Sequence, residues 1–423
     1  MARELQRVAP IMRGSVTFIS TMCLLDNTSG AAISIRNILA ALARAGFQCQ
    51  SFTASLFDPH REVPLGEVLG KEADDPTSKS KCLILEVDGI THNVFLTKSS
   101  QIKNMSFEEK AKMKKMCGEW IQRNNPDIVI SFGQSEHAQD LQNLARNHGA
   151  RLLFYLGNAE YSNSAFFSDG DSAICPSRFL SDYYRTDLGI AAEVVRPIMT
   201  PEQWISPGEE SIASVPSMRK SGFVTFVNPI PHKGLALFVR LAQLAARERP
   251  DMRFLVVEGR MTRELLREWE IDIGAYPNVW WIPTQSDVKA IYRRTSVLLV
   301  PSFWREGFAR SVIEAQLSGI PVLASTRGGL PEALNGGGLA LEVPEKCLQN
   351  HYAYPDRETV HRWMDALTAL WDDEDAYADA TVRARRAAEP FHPDTTSAAA
   401  VAFFDRILRS SRQEKDATAV LPA

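Results

Sequence analysis

The sequence contains no run of about 18–20 consecutive apolar residues, the length a helix needs to cross a bilayer, so no membrane-spanning helix is expected. It has six cysteines, at 23, 49, 82, 117, 175 and 347, and no two share the spacing of a zinc pair or a redox motif. Scattered single thiols suit buried positions in a reducing compartment better than a disulfide framework. A basic excess is also missing. The 47 Lys and Arg stand against 51 Asp and Glu, giving a formal net charge of −4, without the positive footprint of nucleic-acid binding. There are no repeats at solenoid periods and no low-complexity tracts. Arg3, Arg7 and Arg13 precede the apolar run Val16–Leu25 and imitate a signal sequence. That run stops at Asp26 without a small-x-small cleavage site, so Val16–Cys23 reads as a buried first strand.

What is present is the composition of an ordinary folded chain, 45% hydrophobic and 23% charged. At 423 residues it exceeds the roughly 250–300 that one core usually holds, which predicts two domains. Short β-branched runs without alternation read as parallel strands covered on both faces. They are separated by helical periods, as in Ala31–Ala45, where Ile35, Ile38, Leu39 and Leu42 share one face. Alternating strands and helices predict an α/β fold of doubly wound parallel sheets. The boundaries read as an N-terminal domain over 1–198 and a Pro-, Gly- and Ser-containing linker over 199–221. A second domain follows over 222–395. A terminal helix at about 396–411, with Ala399, Phe403, Ile407 and Leu408 on one face, is expected to pack back across the domain junction.

Doubly wound sheets bind ligands at the carboxyl ends of their strands. The densest chemistry at such a position is PSFWREGFARSVIEAQLSGIPVLASTRGGLPEAL, residues 301–334. Here a strand ending at Pro301 leads through Glu306 into a helix expected over 307–318. That helix carries Glu314 eight positions further on, amid Val312, Ile313, Ala315 and Leu317. A carboxylate in a largely apolar helix needs a partner. The amides of Gly307, Phe308 and Ala309, at the expected helix mouth, offer donors to an anionic ligand.

These residues resemble the signature of glycosyltransferase family 4, the group 1 glycosyl transferases. The match is Glu306, Glu314, Ala315, Gly319, Pro321 and Val322, continuing through Gly328-Gly329-Leu330-Pro331-Glu332. The resemblance covers residues 173–335 well and the first half more loosely. It implies the GT-B fold, two Rossmann-like domains facing across a cleft. It also implies a retaining mechanism on a nucleotide-diphosphate sugar, without a required metal. By the same resemblance Glu306 contacts the transferred sugar, Glu314 holds the ribose, and the Gly307 and Phe308 amides approach the sugar and diphosphate.

A second element is FVNPIPHKGL, residues 226–235, where Lys233 stands just after a strand. A departing diphosphate carries concentrated negative charge, which a Lys and helix N-termini can stabilise. Members of the family usually place an Arg at the position of Asn228, and its absence makes Arg260 or Arg310 the candidate second cation. Trp281, Ile282 and Pro283, at another strand end, form the expected base pocket; Trp281 reads equally well as core bulk. In the first half, Ser29-Gly30-Ala31 resembles a small-residue loop that brings backbone close to the donor phosphate, and reads equally as a tight turn. FYLGNAEY, residues 154–161, has no His where family members often do, leaving Asn158 and Glu160 as its polar groups; His137 is a further acceptor-side candidate. Asp169-Gly170-Asp171 imitates a metal motif but reads as a turn, so no metal is expected. The lysine-rich stretch 98–115, with Phe107 and Met113, reads as a solvated face or as a helix lying on anionic membrane.

The expected function is transfer of a hexose from a UDP- or GDP-sugar to a hydroxyl on a glycan, a lipid-linked sugar or a small molecule. No cofactor beyond the nucleotide sugar is expected. The expected location is the cytoplasm, with peripheral contact at the inner membrane face if the basic stretch binds lipid. Two other readings remain: a non-catalytic nucleotide-sugar-binding partner, and another enzyme of the same fold such as an epimerase.

Overall fold

Strands built from Val, Ile, Leu and Phe form two parallel sheets in the computed structural model, which describes residues 13–58, 62–79, 81–168, 170–268 and 276–419. The chain divides into two units, one spanning Met1–Tyr155, Asn163–Ile174 and Ser397–Ala423, the other Leu156–Ser162 and Cys175–Thr396.

In the first unit β1 (Ser15–Ile19), β2 (Gln48–Ala54), β3 (Cys82–Val87), β4 (Ile90–Phe95), β5 (Ile128–Ser131), β6 (Arg151–Tyr155) and β7 (Ser172–Cys175) lie in the order β3-β4-β2-β1-β5-β6-β7. All pairs are parallel except β3 with β4. That antiparallel hairpin departs from the expected parallel sheet. Its cause is Asp88-Gly89, both with positive φ, a turn that suits the twist of a two-residue hairpin. The outermost strand β3 is largely exposed, whereas β5 is buried throughout.

The second unit holds β8 (Ala192–Val194) and a six-stranded sheet. The sheet's strands are β9 (Phe223–Val227), β10 (Phe254–Val257), β11 (Val279–Ile282), β12 (Thr295–Val300), β13 (Val322–Ser325) and β14 (Leu339–Leu341). Their order is β11-β10-β9-β12-β13-β14, all parallel, so strand order reverses between β9 and β12. β10 and β13 are buried at every position. The helix Leu235–Glu248 covers one face, with Phe238 stacked on Phe226 at 4.8 Å and edge-on to Phe254 at 5.7 Å. Segment 199–221 packs within this unit. Trp204, Ile205 and Ala213 join the core around Leu298 and Val312, and the buried Arg219 donates to the carbonyls of Trp371 and Asp372.

The last helix runs Pro393–Ala419, and Ser397 onward belongs to the first unit. Its buried face is Ala400, Phe403, Phe404, Ile407 and Leu408. Ala399, expected on that face, is exposed, because the apolar stripe passes through Ala400 one position later. Leu408 packs over Gly14, where an added Cβ would lie 2.6 Å from a Leu408 methyl carbon. No helix among the described residues is long and apolar enough to cross a membrane.

Candidate active site

Strand-order reversal opens a crevice at the carboxyl ends of the two strands beside it. In the second unit these are β9 and β12, whose following loops carry Lys233 and Glu306. The two loops are bound together. The carbonyl of His232 accepts from the amides of Phe303 (2.9 Å) and Trp304 (3.0 Å). Gly234, at φ +90°, lies so close to the second loop that an added Cβ would meet the Pro301 carbonyl oxygen at 2.0 Å. Gly234→Ala is therefore expected to cost about 2 kcal/mol or more, read as a lower thermal midpoint, because neither backbone can yield without breaking these bonds.

This arrangement brings Lys233 Nζ to 2.7 Å from both oxygens of Glu306. Ser302 Oγ donates to Glu306 Oε1 at 2.7 Å. Glu306 is 7% exposed, so its charge is held by named partners and not by water. A third loop, after β13, clamps it from behind. The amide of Gly329 donates to the Glu306 carbonyl at 2.7 Å, and a Cβ on Gly328 (φ +60°) would lie 2.4 Å from that same oxygen.

The helix after Glu306 spans Arg310–Leu317, so the expected start at 307 is corrected by three residues. Ala309 is extended, and the Gly307 carbonyl is taken by Ser177 Oγ at 2.6 Å, which holds 307–309 out of the helix. Gly307 also abuts Gly157, whose carbonyl oxygen would lie 2.4 Å from an added Cβ. Phe308 packs its ring on Phe391 at 5.7 Å. Beside Gly157, Asn158 Nδ2 donates to Glu160 Oε2 at 2.6 Å, and the Asn158 carbonyl accepts from the Tyr184 hydroxyl.

Glu314 lies one turn into the helix and is 9% exposed. The Tyr292 hydroxyl donates to its Oε2 at 2.8 Å, and Arg310 Nη2 to its Oε1 at 3.3 Å. Burial, then the charge of Glu314, keeps the Tyr292 hydroxyl protonated by raising its pKa far above the usual tyrosine value. Arg310 is thus engaged by Glu314. Arg260 acts on the charge of His232, and its amide donates to Asn228 Oδ1 at 3.1 Å. Asn228 adopts φ +59°, a left-handed conformation that Asn tolerates, and so turns the chain out of β9.

Trp281 packs on the core around Phe254 and donates from Nε1 to Glu258 Oε1 at 2.6 Å. The Ile282 carbonyl accepts the Glu258 amide at 3.0 Å, and Pro283 beyond it is exposed. In the first unit strand order reverses between β1 and β5. Gly30 opens the helix that follows β1, and an added Cβ there would meet nothing within 4 Å. His137 is buried in the first turn of the helix after β5, and burial lowers its pKa. Asp171 pairs with Arg146 at 2.6 Å, while Asp169 lies outside the described residues. Among the described residues no cluster of three His, Cys, Asp or Glu is placed to hold a metal. In the lysine-rich stretch, Phe107 is 87% exposed and Lys114 pairs with Asp140 at 2.8 Å.

Three side chains at the site went unremarked in the sequence: Ser302, Tyr292 and His232. His232 had a signal, its place next to Lys233 at a strand end; Ser302 and Tyr292 had none. Burial first, then Lys233, pushes the His232 pKa down to about 4. Between pH 6.5 and about 4 the unfolded chain binds a proton there that the folded chain refuses, so folding stability falls as pH drops through that window. The thermal midpoint of His232→Gln is expected to fall less steeply over the same range.

Sucrose-phosphate synthase from Thermosynechococcus elongatus superposes with TM-score 0.69 at 16% identity, covering 94% of this chain and 100% of its own. The Anabaena protein HepE in complex with UDP-glucose superposes with TM-score 0.63 at 15% identity, covering 93% of this chain and 100% of its own. The fold is GT-B, with two Rossmann-like sheets. The family model for glycosyl transferases group 1 matches residues 220–373, within the second unit. A D-inositol 3-phosphate glycosyltransferase of Corynebacterium glutamicum is 30% identical over 185 residues, 40% of this chain and 41% of that protein. One from Mycobacteroides abscessus is 36% identical over 155 residues, 35% of this chain and 31% of that protein. The chain therefore spans less than half the length of these curated relatives.

Proposed function

We propose that this glycosyltransferase moves a hexose from a nucleotide-diphosphate sugar to a hydroxyl acceptor with retention of anomeric configuration. The observation that carries this reading is the Lys233–Glu306 pair, closed at 2.7 Å at the point where strand order reverses. Glu306 receives the sugar hydroxyls. Lys233, with Arg260 near His232, meets the charge that develops on the leaving diphosphate, so no metal is required in this reading. HepE was solved with UDP-glucose, which makes UDP-sugars the first donors to try. Glycans, lipid-linked sugars and small polyols are the acceptors to screen, the inositol phosphate in the relatives' names among them. Six free cysteines, five of them buried, suit action in the cytoplasm.

The test is thermal stabilisation by UDP, GDP, ADP and TDP and their sugars, then NMR of the product anomer. A ligand at about 100 times its dissociation constant adds about 2.7 kcal/mol to native stability. An inverted product would sink the retaining mechanism, and no response to any nucleotide would sink donor binding.

In the same reading Glu314 takes the ribose hydroxyls, and Tyr292 is a positioning residue that holds its carboxylate. Tyr292→Phe removes the donor at 2.8 Å. It is expected to weaken donor binding about tenfold. It should also narrow the preference for a ribonucleotide over its 2′-deoxy form, with kcat little changed. A purely structural Tyr292 would leave that preference untouched.

A further inference from the structure

Beside the Lys233–Glu306 pair lies a cluster that the proposed chemistry leaves unused. The rings of His232 and Trp304 are 5.3 Å apart, and His351 lies 6.1 Å from each. All three are half-buried. Arg327 lies near His351, and Arg305 lies near Arg327. Arg305 adjoins Glu306 in sequence and lies 5.9 Å over the Tyr183 ring. Arg327 opens the Gly328-Gly329 loop that clamps Glu306, and it acts on the charge of His351 as Arg305 acts on its own. Among the described residues, neither guanidinium has a carboxylate within the 4.0 Å of an ion pair, and Arg327 Nε is buried without a hydrogen-bond partner. Glu342 and Glu345 attract Arg327 from a distance, both from exposed positions.

Two like charges gathered without a counter-ion, one of them desolvated, cost free energy unless an anion joins them. Burial keeps both histidines neutral near pH 7, so their rings act as hydrogen-bonding groups and not as cations. A tryptophan face with two neutral imidazoles suits a pyranose ring, and a guanidinium suits a carboxylate.

We propose that His232, Trp304, His351, Arg305 and Arg327 read the transferred sugar and select a uronic acid, with Arg327 holding its carboxylate. The proposal rests on the donor reading above.

The test is calorimetric titration of the full chain with UDP and GDP, with UDP-glucose against UDP-glucuronate, and with GDP-mannose against GDP-mannuronate. Glucose 1-phosphate against glucuronate 1-phosphate is added because that pair needs no base contact. The uronate member of a responding pair is expected to bind about tenfold tighter. Arg327→Gln, checked for folding by its thermal midpoint, should bring the two within about twofold. His351→Asn serves as a second variant in case Arg327→Gln fails to fold. If nucleotides bind and the neutral sugar binds as tightly as the uronate, the uronate proposal is overturned and the donor reading stands. A preference that survives Arg327→Gln also overturns it. If no nucleotide, nucleotide sugar or sugar phosphate binds, the donor reading falls and takes the proposal with it.

Discussion

Glu306→Gln is expected to lower kcat by about 10²–10³ while donor affinity falls little. The exchange keeps shape and the hydrogen bond from Ser302 Oγ but removes the negative charge facing Lys233. If Glu306 stabilises positive charge on the sugar as the bond to the diphosphate breaks, that contribution exists only in the transition state, so kcat falls and binding survives. Steady-state transfer rates with titrated donor binding check this. Unchanged turnover would remove Glu306 from the chemistry.

Lys233→Gln should act on both terms. The Lys233 side chain is 29% exposed and opposes a Glu306 side chain that is 9% exposed, so the ammonium can turn from Glu306 toward an incoming diphosphate. Losing it removes the nearest cation from the leaving group, an expected loss of about 10²–10³ in kcat/KM. It also leaves the buried Glu306 carboxylate with Ser302 Oγ as its remaining partner, so the thermal midpoint should drop as well. Donor titration, transfer kinetics and melting together separate the outcomes. A lower midpoint with intact kcat/KM would make Lys233 a structural partner of Glu306 and nothing more.

The two predictions differ because the pair is asymmetric. Glu306 is fixed within its own loop by Ser302 and from the loop after β13 by Gly328 and Gly329. Lys233 ends a three-residue 3-10 turn capped by Gly234, and its side chain is bonded at the tip. A fixed anion and a swinging cation suit a site that must exchange an internal ion pair for a substrate one.

The sequence by itself determined the alternation of strands and helices, because apolar runs and helical periods are local. It also marked Glu306 and Glu314 as site candidates, because they sit in a spaced pattern with Gly319, Pro321 and Val322. Local patterns could not mark Ser302 or Tyr292, whose importance comes from a strand end and a helix meeting a carboxylate 4 and 22 positions away. The helix start failed locally for the same reason. Residues 307–309 fall within the expected helix, but Ser177, 130 positions earlier, takes the Gly307 carbonyl. The Asp88-Gly89 hairpin was legible in principle from its turn residues. Only the tertiary structure decided that Lys233 and Glu306, 73 positions apart, meet at 2.7 Å. The physical reason is strand order: β9 and β12 are neighbours across two intervening strands of sequence, and an order set by long-range packing places their loops together.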